Sequence, residues 1–175
     1  MNKQALTSTF RTITEENPYR ICFVCLGNIC RSPTAEGVLQ HLAVERGLGN
    51  YFEIDSAGTS AYHIGELPNR FSRQIAASHG VMLGSRAQQF EQDFGMYYDL
   101  ILTMDQENYD NIIDLDIKSE FSNKVMLFRN FDPKPDDYEV PDPYAGGIQG
   151  FENVYQITYR TCQVLLDQLE TYIKA

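Results

Sequence analysis

Near its start the chain reads Arg20-Ile21-Cys22-Phe23-Val24-Cys25-Leu26-Gly27-Asn28-Ile29-Cys30-Arg31-Ser32-Pro33-Thr34-Ala35-Glu36-Gly37. The apolar run, bounded by a Gly-Asn pair, predicts a strand buried on both faces. Ser32 and Pro33 are typical of a helix N-cap followed by proline in the first helical position. Glu36 would then lie in the first helical turn, where a carboxylate suits the dipole. The pattern therefore predicts a tight loop over residues 25–31 between a strand and a helix.

A loop of this kind points backbone N–H groups inward above the positive end of a helix, which suits a bound oxyanion. Cys25 begins the loop and Arg31 ends it, so a thiol and a guanidinium face the same anion site. Arg31 can bind two phosphate oxygens at once. The dipole and this cation should also favour the thiolate form of Cys25, which is the nucleophilic form. These residues indicate covalent phosphoryl transfer, and the alternative is a buried structural cysteine beside a surface arginine.

The string from Val24 to Pro33, which contains Cys25-x5-Arg31-Ser32, resembles the low-molecular-weight protein tyrosine phosphatases. Cys-x5-Arg alone is shared with rhodanese-like and other phosphatase folds, whereas the longer string is specific. The resemblance implies a cysteine-dependent, metal-independent hydrolase that acts on phosphotyrosine in proteins and needs no cofactor. It also implies that the loop residues bind phosphate: Leu26, Gly27, Asn28, Ile29, Cys30 and Ser32.

The resemblance assigns the general acid to Asp142, in Val140-Pro141-Asp142-Pro143-Tyr144. The carboxyl group would protonate the leaving oxygen and then, as a base, activate water against the phosphocysteine. Two flanking prolines would hold it stiffly on its loop. Composition alone favours an exposed turn instead, which Pro-Asp-Pro fits well.

Four residues are expected to support the loop. Ser32 should donate a hydrogen bond to the sulfur, and Asn28 suits a left-handed backbone position. In the family this asparagine is tied to the serine at the end of the second strand, here Ser56. Asp105 follows another strand and should meet the loop at the same edge of the sheet.

Leu26 and Ile29, with Tyr62 and Tyr144, could form the walls of a slot for an aromatic ring. Offset stacking with tyrosine would favour a phosphotyrosine ring by roughly 0.5–1.5 kcal/mol per pair. Family members that act on phosphoarginine carry Thr where this chain has Ile29, and an apolar side chain there offers a guanidinium no partner. The family commonly has Trp in place of Tyr62 and a second Tyr in place of Ala145. The alternative is that both tyrosines are ordinary exposed residues.

Composition excludes several other classes. The formal charge of -10 argues against a nucleic-acid partner, which needs a basic face. Four clustered cysteines are too few for a disulfide framework or a zinc site, although Cys30 could form a reversible disulfide with Cys25 or remain a small buried thiol. No apolar run is long enough to span a membrane, and no secretory pattern opens the chain. We expect a cytoplasmic monomer that binds no metal.

Strands and helices alternate along residues 20–175, and residues 1–19 are polar and expected to form a loosely ordered extension. The pattern predicts one α/β domain with a doubly wound, four-stranded parallel sheet and helices on both faces. Its ligand should bind beyond the carboxyl ends of the strands. Strands are expected at 20–25, 52–58, 97–103 and 124–128, and helices at 33–46, 68–79, 105–115 and 151–172, with a long loop at 129–150.

Three alternative functions remain. An arsenate reductase of the same fold would need relay cysteines after the second helix, and residues 78–96 contain none. A phosphoarginine phosphatase is disfavoured by Ile29. A non-catalytic phosphate-binding module should have lost the nucleophile or the acid, yet Cys25, Arg31 and Asp142 are all present.

Overall fold

A computed structural model describes residues 9–174. Its centre is a parallel sheet in the order β2-β1-β3-β4, formed by β1 (Tyr19–Cys25), β2 (Phe52–Gly58), β3 (Leu100–Thr103) and β4 (Val125–Leu127). The helices packed around it are α1 (Arg31–Glu45), α2 (Arg70–Ser78), α3 (Gln92–Tyr97), α4 (Gln106–Leu115) and α5 (Gly147–Glu170). The predicted four-stranded parallel α/β architecture is confirmed.

Strand β1 is central because both of its faces are buried. Ile21 and Phe23 point into a core that includes side chains of α1 and α5. Cys22 and Val24, which alternate with them, enter a second core with residues of β3 and α4 on the opposite side of the sheet. Two-sided burial explains why this strand is a continuous apolar run.

The start of α1 differs from the expectation. The helix begins at Arg31 with Cys30 as its N-cap, and no side chain caps it. Ser32 is already in the helix, and its hydroxyl contacts the sulfur of Cys25 instead. Pro33 is tolerated there because the first helical N–H groups have no intrahelical acceptor. Glu36 lies beyond the first turn and is buried, so it does not serve the helix dipole as predicted.

The third strand is shorter than predicted, because Tyr97 ends helix α3, which the sequence pattern did not indicate. The amide of Tyr98 donates to Phe94 O and so continues the helical turn. Asp99 then separates helix from strand, and its carboxylate accepts hydrogen bonds from the Arg11 side chain and the Arg20 amide.

The extension expected over residues 1–19 lies partly outside the described residues, which begin at 9. Beyond that point the segment makes specific contacts with the domain. Ile13 is fully buried and pairs with Ile173 at the other end of the chain. Arg11 forms an ion pair with Asp99 at 2.7 Å. Within residues 9–174, no helix combines the length and the apolar character needed to cross a bilayer.

Candidate active site

The site lies at the carboxyl end of β1, where Cys25 is the last strand residue and is almost fully buried. Its Sγ is 3.0 Å from Ser32 Oγ and accepts a hydrogen bond from the Asn28 amide at 3.3 Å. Ser32 Oγ also accepts from Asn28 Nδ2 at 2.8 Å. The Ser32 hydroxyl hydrogen has two acceptors within reach, Cys25 Sγ at 3.0 Å and Ala57 O at 3.4 Å, and the sulfur is the nearer of the two. Two donors therefore converge on Sγ and favour a negative charge there.

Asn28 fixes the shape of the loop. Its backbone has φ of 54°, the left-handed conformation that asparagine tolerates better than most residues. Its Nδ2 donates to Ser32 Oγ and Ser56 Oγ, both at 2.8 Å, and its Oδ1 accepts from the Gln88 amide at 2.9 Å. The side chain thus ties the loop to the end of β2 and to the segment before α3.

The hydrogen-bonded chain ends at a buried carboxylate. Ser56 Oγ donates to Glu36 Oε2 at 2.5 Å, which leaves the serine oxygen free to accept from Asn28. Burial raises the pKa of Glu36, although hydrogen bonds from Ser56 and Ser85 act in the opposite direction. Glu36 therefore fixes the direction of the Ser56 hydroxyl, so that the Ser56 oxygen accepts from the side-chain amide group of Asn28.

Arg31 is buried, and the two Nη groups of its guanidinium face different partners. Nη1 donates to Asp105 Oδ2 at 2.6 Å and to Val140 O at 3.1 Å, whereas Nη2 lies 3.7 Å from Asp142 Oδ2. Burial acts to lower the pKa of Arg31, but the charges of Cys25 and Asp105 outweigh it and raise the pKa. The other oxygen of Asp105 caps α4 by accepting from the Asn108 amide at 2.7 Å, so this residue orients Arg31 from a fixed position.

Asp142 stands on the long loop between β4 and α5, with its side chain 52% exposed. Its Oδ1 accepts from the Tyr144 amide at 3.0 Å, which leaves Oδ2 facing Arg31. Just before it, the Val140 amide donates to Met104 O at 2.7 Å. The loop is therefore held at Val140 through both backbone groups, the amide by Met104 and the carbonyl by Arg31.

These groups surround a cavity of about 230 Å³. Cys25 lies at its buried end, and Tyr62 and Tyr144 stand at its mouth, 78% and 72% exposed. The depth between sulfur and tyrosines and the apolar walls suit an aromatic phosphate ester. The residues that line the cavity are Cys25, Leu26, Gly27, Ile29, Cys30, Arg31, Tyr62, His63, Asp142 and Tyr144.

Every residue predicted for the site except Ser56 lies in this cavity or contacts a residue that does, and Ser56 is bonded to Asn28. Asn28, Ser32, Ser56 and Asp105 support the loop without lining the cavity. Burial raises the pKa of the Cys30 thiol to about 12, so Cys30 is a neutral neighbour of Cys25 near neutral pH. Both cysteines are free thiols here, and their disulfide stays a prediction.

Sequence reasoning missed three supporting residues. His63 lines the cavity over Gly27 and pairs with Glu66 at 3.0 Å. Gly58 ends β2 so close to the loop that a Cβ would lie 2.7 Å from Leu26 O. The Asp-Ser-Ala-Gly pattern could have suggested such a close approach. The third is Glu36, which accepts from Ser56.

Among residues 9–174, no three His, Cys, Asp or Glu side chains are arranged to hold a metal ion.

Comparison with known proteins places this geometry in a family. The sequence model described as "Low molecular weight phosphotyrosine protein phosphatase" matches residues 20–175. The protein of that name from Saccharomyces cerevisiae is 39% identical over 163 residues, which cover 90% of this chain and all of the yeast protein. A "Low molecular weight protein-tyrosine-phosphatase" from Streptomyces coelicolor is 40% identical over 79% of this chain and 86% of its own length.

A solved structure agrees with the sequence comparison. A protein tyrosine phosphatase from Entamoeba histolytica, crystallised with Hepes in the active site, superposes with a TM-score of 0.84 at 34% identity. The match covers 87% of this chain and 97% of that one. The chain belongs to the low molecular weight phosphotyrosine protein phosphatase family, and it is a protein tyrosine phosphatase.

Proposed function

We propose that the protein hydrolyses phosphotyrosine in protein substrates through a phosphocysteine on Cys25, with Arg31 binding phosphate and Asp142 acting as acid and then base. The observation that carries this proposal is the juxtaposition of these three side chains in one cavity whose buried end is the sulfur. The two donors on Sγ support the thiolate form, which is the attacking form.

Phosphate binding is supported by the donors that the protein itself leaves free. Nη1 of Arg31 is committed to Asp105 and Val140, so Nε and Nη2 remain for two phosphate oxygens. Among the residues that the structure describes, the loop amides other than that of Asn28 donate to no protein acceptor: Leu26, Gly27, Ile29, Cys30 and Arg31. Such amides at a helix N-terminus suit a dianion.

The reaction then has two displacements at phosphorus. Sγ of Cys25 forms a bond to phosphorus while the bond from phosphorus to the phenol oxygen breaks, and Asp142 gives its proton to that oxygen. Water then attacks the phosphocysteine and loses its proton to Asp142. The S–P bond breaks, which releases inorganic phosphate and restores the thiolate. The Ser32 hydroxyl stabilises negative charge on sulfur, so it supports the thiolate form before the first step and makes sulfur a better leaving group in the second.

The preference for an aromatic ester is supported by the shape of the cavity. Its buried end holds the sulfur, so the phosphate must be carried on a group long enough to reach it past the rim. Tyr62 and Tyr144 at that rim can stack on a phenyl ring, at about 0.5–1.5 kcal/mol per pair. Ile29 on the wall offers no acceptor to a phosphoarginine guanidinium.

The test compares hydrolysis of p-nitrophenyl phosphate and of phosphotyrosine, phosphoserine and phosphoarginine peptides, with and without a metal chelator. We expect p-nitrophenyl phosphate and the phosphotyrosine peptide each to be hydrolysed as fast with the chelator as without it. The Cys25→Ser variant should be inactive. Asp142→Ala should lose about 10²-fold or more on phosphotyrosine, whose leaving group is poor, and less on p-nitrophenyl phosphate. Faster hydrolysis of phosphoarginine than of phosphotyrosine would contradict the proposed substrate.

A further inference from the structure

Arg129 lies outside the cavity, in a short 3₁₀ turn (Phe128–Phe131) that follows β4, and only 1% of its side chain is exposed. Its guanidinium donates Nε to Asp132 at 2.9 Å, Nη2 to Asp136 at 2.5 Å, and Nη1 to Asp137 at 3.1 Å. Nη1 also donates to Glu139 O at 2.7 Å. All four acceptors belong to residues 132–139, and we call this arrangement the Arg129 clamp.

The clamp is anchored to the body of the domain through Asp132. The carboxylate of Asp132 is fully buried and accepts from Arg160 of α5 at 2.8 Å through each of its oxygens. Hydrogen bonds from Arg160, Lys134 and Arg129 outweigh its burial and lower the pKa of Asp132, so the carboxylate stays charged. Arg129 therefore joins a fixed carboxylate of the core to the outer part of the loop, where Asp136 and Asp137 are exposed.

The clamped segment leads directly to the proposed general acid. Glu139 O is the last atom that Arg129 holds, and the next residue, Val140, is bonded to Met104 O and to Arg31. Pro141 then fixes one backbone angle before Asp142. Within the described residues and beyond its own turn, the Asp142 carboxylate has Arg31 as its only hydrogen-bond or ion-pair partner, at 3.7 Å. The position of the Asp142 carboxylate is therefore set mainly by the backbone of the loop on which it stands.

We propose that Arg129 is a positioning residue for Asp142, acting through the clamp to place the carboxyl group at the leaving oxygen. This inference rests on the proposed role of Asp142 as general acid. Arginine is needed because its planar group spans four acceptors in fixed directions, whereas lysine offers a single charged centre on a flexible stem. A misplacement of the order of 1 Å in such a group can cost about 10²-fold in rate.

The decisive experiment measures kcat/KM for p-nitrophenyl phosphate and phenyl phosphate in Arg129→Lys, Asp142→Ala and the double variant. Phenyl phosphate has the poorer leaving group and depends more on a placed proton donor. We expect Arg129→Lys to lose about 10- to 100-fold on phenyl phosphate and about threefold or less on p-nitrophenyl phosphate. In the Asp142→Ala background the same change should cost less than about twofold, because the group that it positions is gone.

A second variant avoids disturbing a buried charge. Asp136→Asn combined with Asp137→Asn removes the negative charge of the exposed arms of the clamp and keeps the Arg129–Asp132 pair, so the protein should remain folded. We expect the same leaving-group pattern at a smaller size, about three- to tenfold on phenyl phosphate. The matched control is Asp167→Asn, an exposed partner of Arg46 at 2.7 Å outside the clamp, which should leave both substrates unaffected.

The outcomes separate this inference from the one on which it rests. Two results would show a general structural role for Arg129 and overturn the inference. One is an equal loss of kcat/KM on both substrates in Arg129→Lys. The other is an undiminished loss when Arg129→Lys is added to Asp142→Ala. If Arg129→Lys does not fold, the Asp136 and Asp137 variant decides by the same criteria. If Asp142→Ala lowers kcat/KM equally for phenyl phosphate and p-nitrophenyl phosphate, the assignment of Asp142 as the general acid fails, and the inference fails with it. If the loss in Asp142→Ala does depend on the leaving group and the clamp variants behave as wild type, only the role of Arg129 is refuted.

Discussion

Replacing Asn28 tests how the anion loop is held, and the structure allows the cost to be worked out. The side chain makes three hydrogen bonds, to Ser32, Ser56 and the Gln88 amide, of which the first two are buried and the third is partly buried. At about 1 kcal/mol net each, their loss should lower the free energy of unfolding by about 3 kcal/mol. Asn28→Ala also places an alanine at φ of 54°, which adds about 1 kcal/mol.

Asn28→Gly separates the two contributions, because glycine adopts positive φ without strain. We expect losses of about 3 kcal/mol for glycine and about 4 kcal/mol for alanine, measured by urea denaturation as a change in midpoint at constant slope. Both variants should lose about 10²-fold or more in kcat/KM, because neither restores the donors that orient the two serines. The exposed Asn50, changed to alanine, is the control.

The reasoning would be refuted by either of two results. A loss below about 1 kcal/mol in Asn28→Ala would mean that the three hydrogen bonds do not hold the loop. A glycine variant less stable than the alanine variant would mean that the left-handed backbone carries no strain. In both cases the loop geometry would have to come from the rest of the fold.

Two further predictions concern residues that support the same loop. Because the folded state raises the pKa of Glu36, its contribution to stability is present below the ordinary glutamate pKa of about 4.3 and is lost as pH rises through the folded value. Glu36→Gln should therefore gain stability relative to wild type between acidic and neutral pH in urea denaturation, and a pH-independent difference would contradict this. Gly58→Ala would place a Cβ 2.7 Å from Leu26 O, so kcat/KM should fall about tenfold or more, and an unchanged value would contradict the close approach.

The local part of the site could be predicted because its signals are consecutive in the chain. Residues 20–37 contain the strand, the loop and the helix in order, and Cys25 and Arg31 follow from that order alone. The exact start of α1 could not be predicted, because a serine before a proline fits an N-cap equally well. In the structure the helix begins two residues earlier, and the Ser32 hydroxyl contacts the sulfur instead of capping the helix.

Glu36 and Gly58 were missed as supporting residues because the groups that they meet are remote in sequence. Glu36 acts through Ser56, which lies 20 residues further along the chain. In the same way, Val140 O accepts from Arg31 only because two loops that are distant in sequence come together in the fold. Periodicity indicates which residues are buried, but not which polar groups meet inside the domain. Arg129 is the extreme case, since its four acceptors lie on a segment that reads as an irregular loop.

The central claim is that the Cys25 sulfur carries the phosphoryl group during turnover. The direct measurement is rapid quenching of the Asp142→Ala variant during hydrolysis of p-nitrophenyl phosphate, followed by digestion and mass spectrometry. Loss of the base slows attack by water, so the intermediate should accumulate, with one phosphoryl group on the peptide that contains Cys25. A phosphoryl group on another residue, or hydrolysis by a Cys25→Ser variant at the wild-type rate, would contradict the claim.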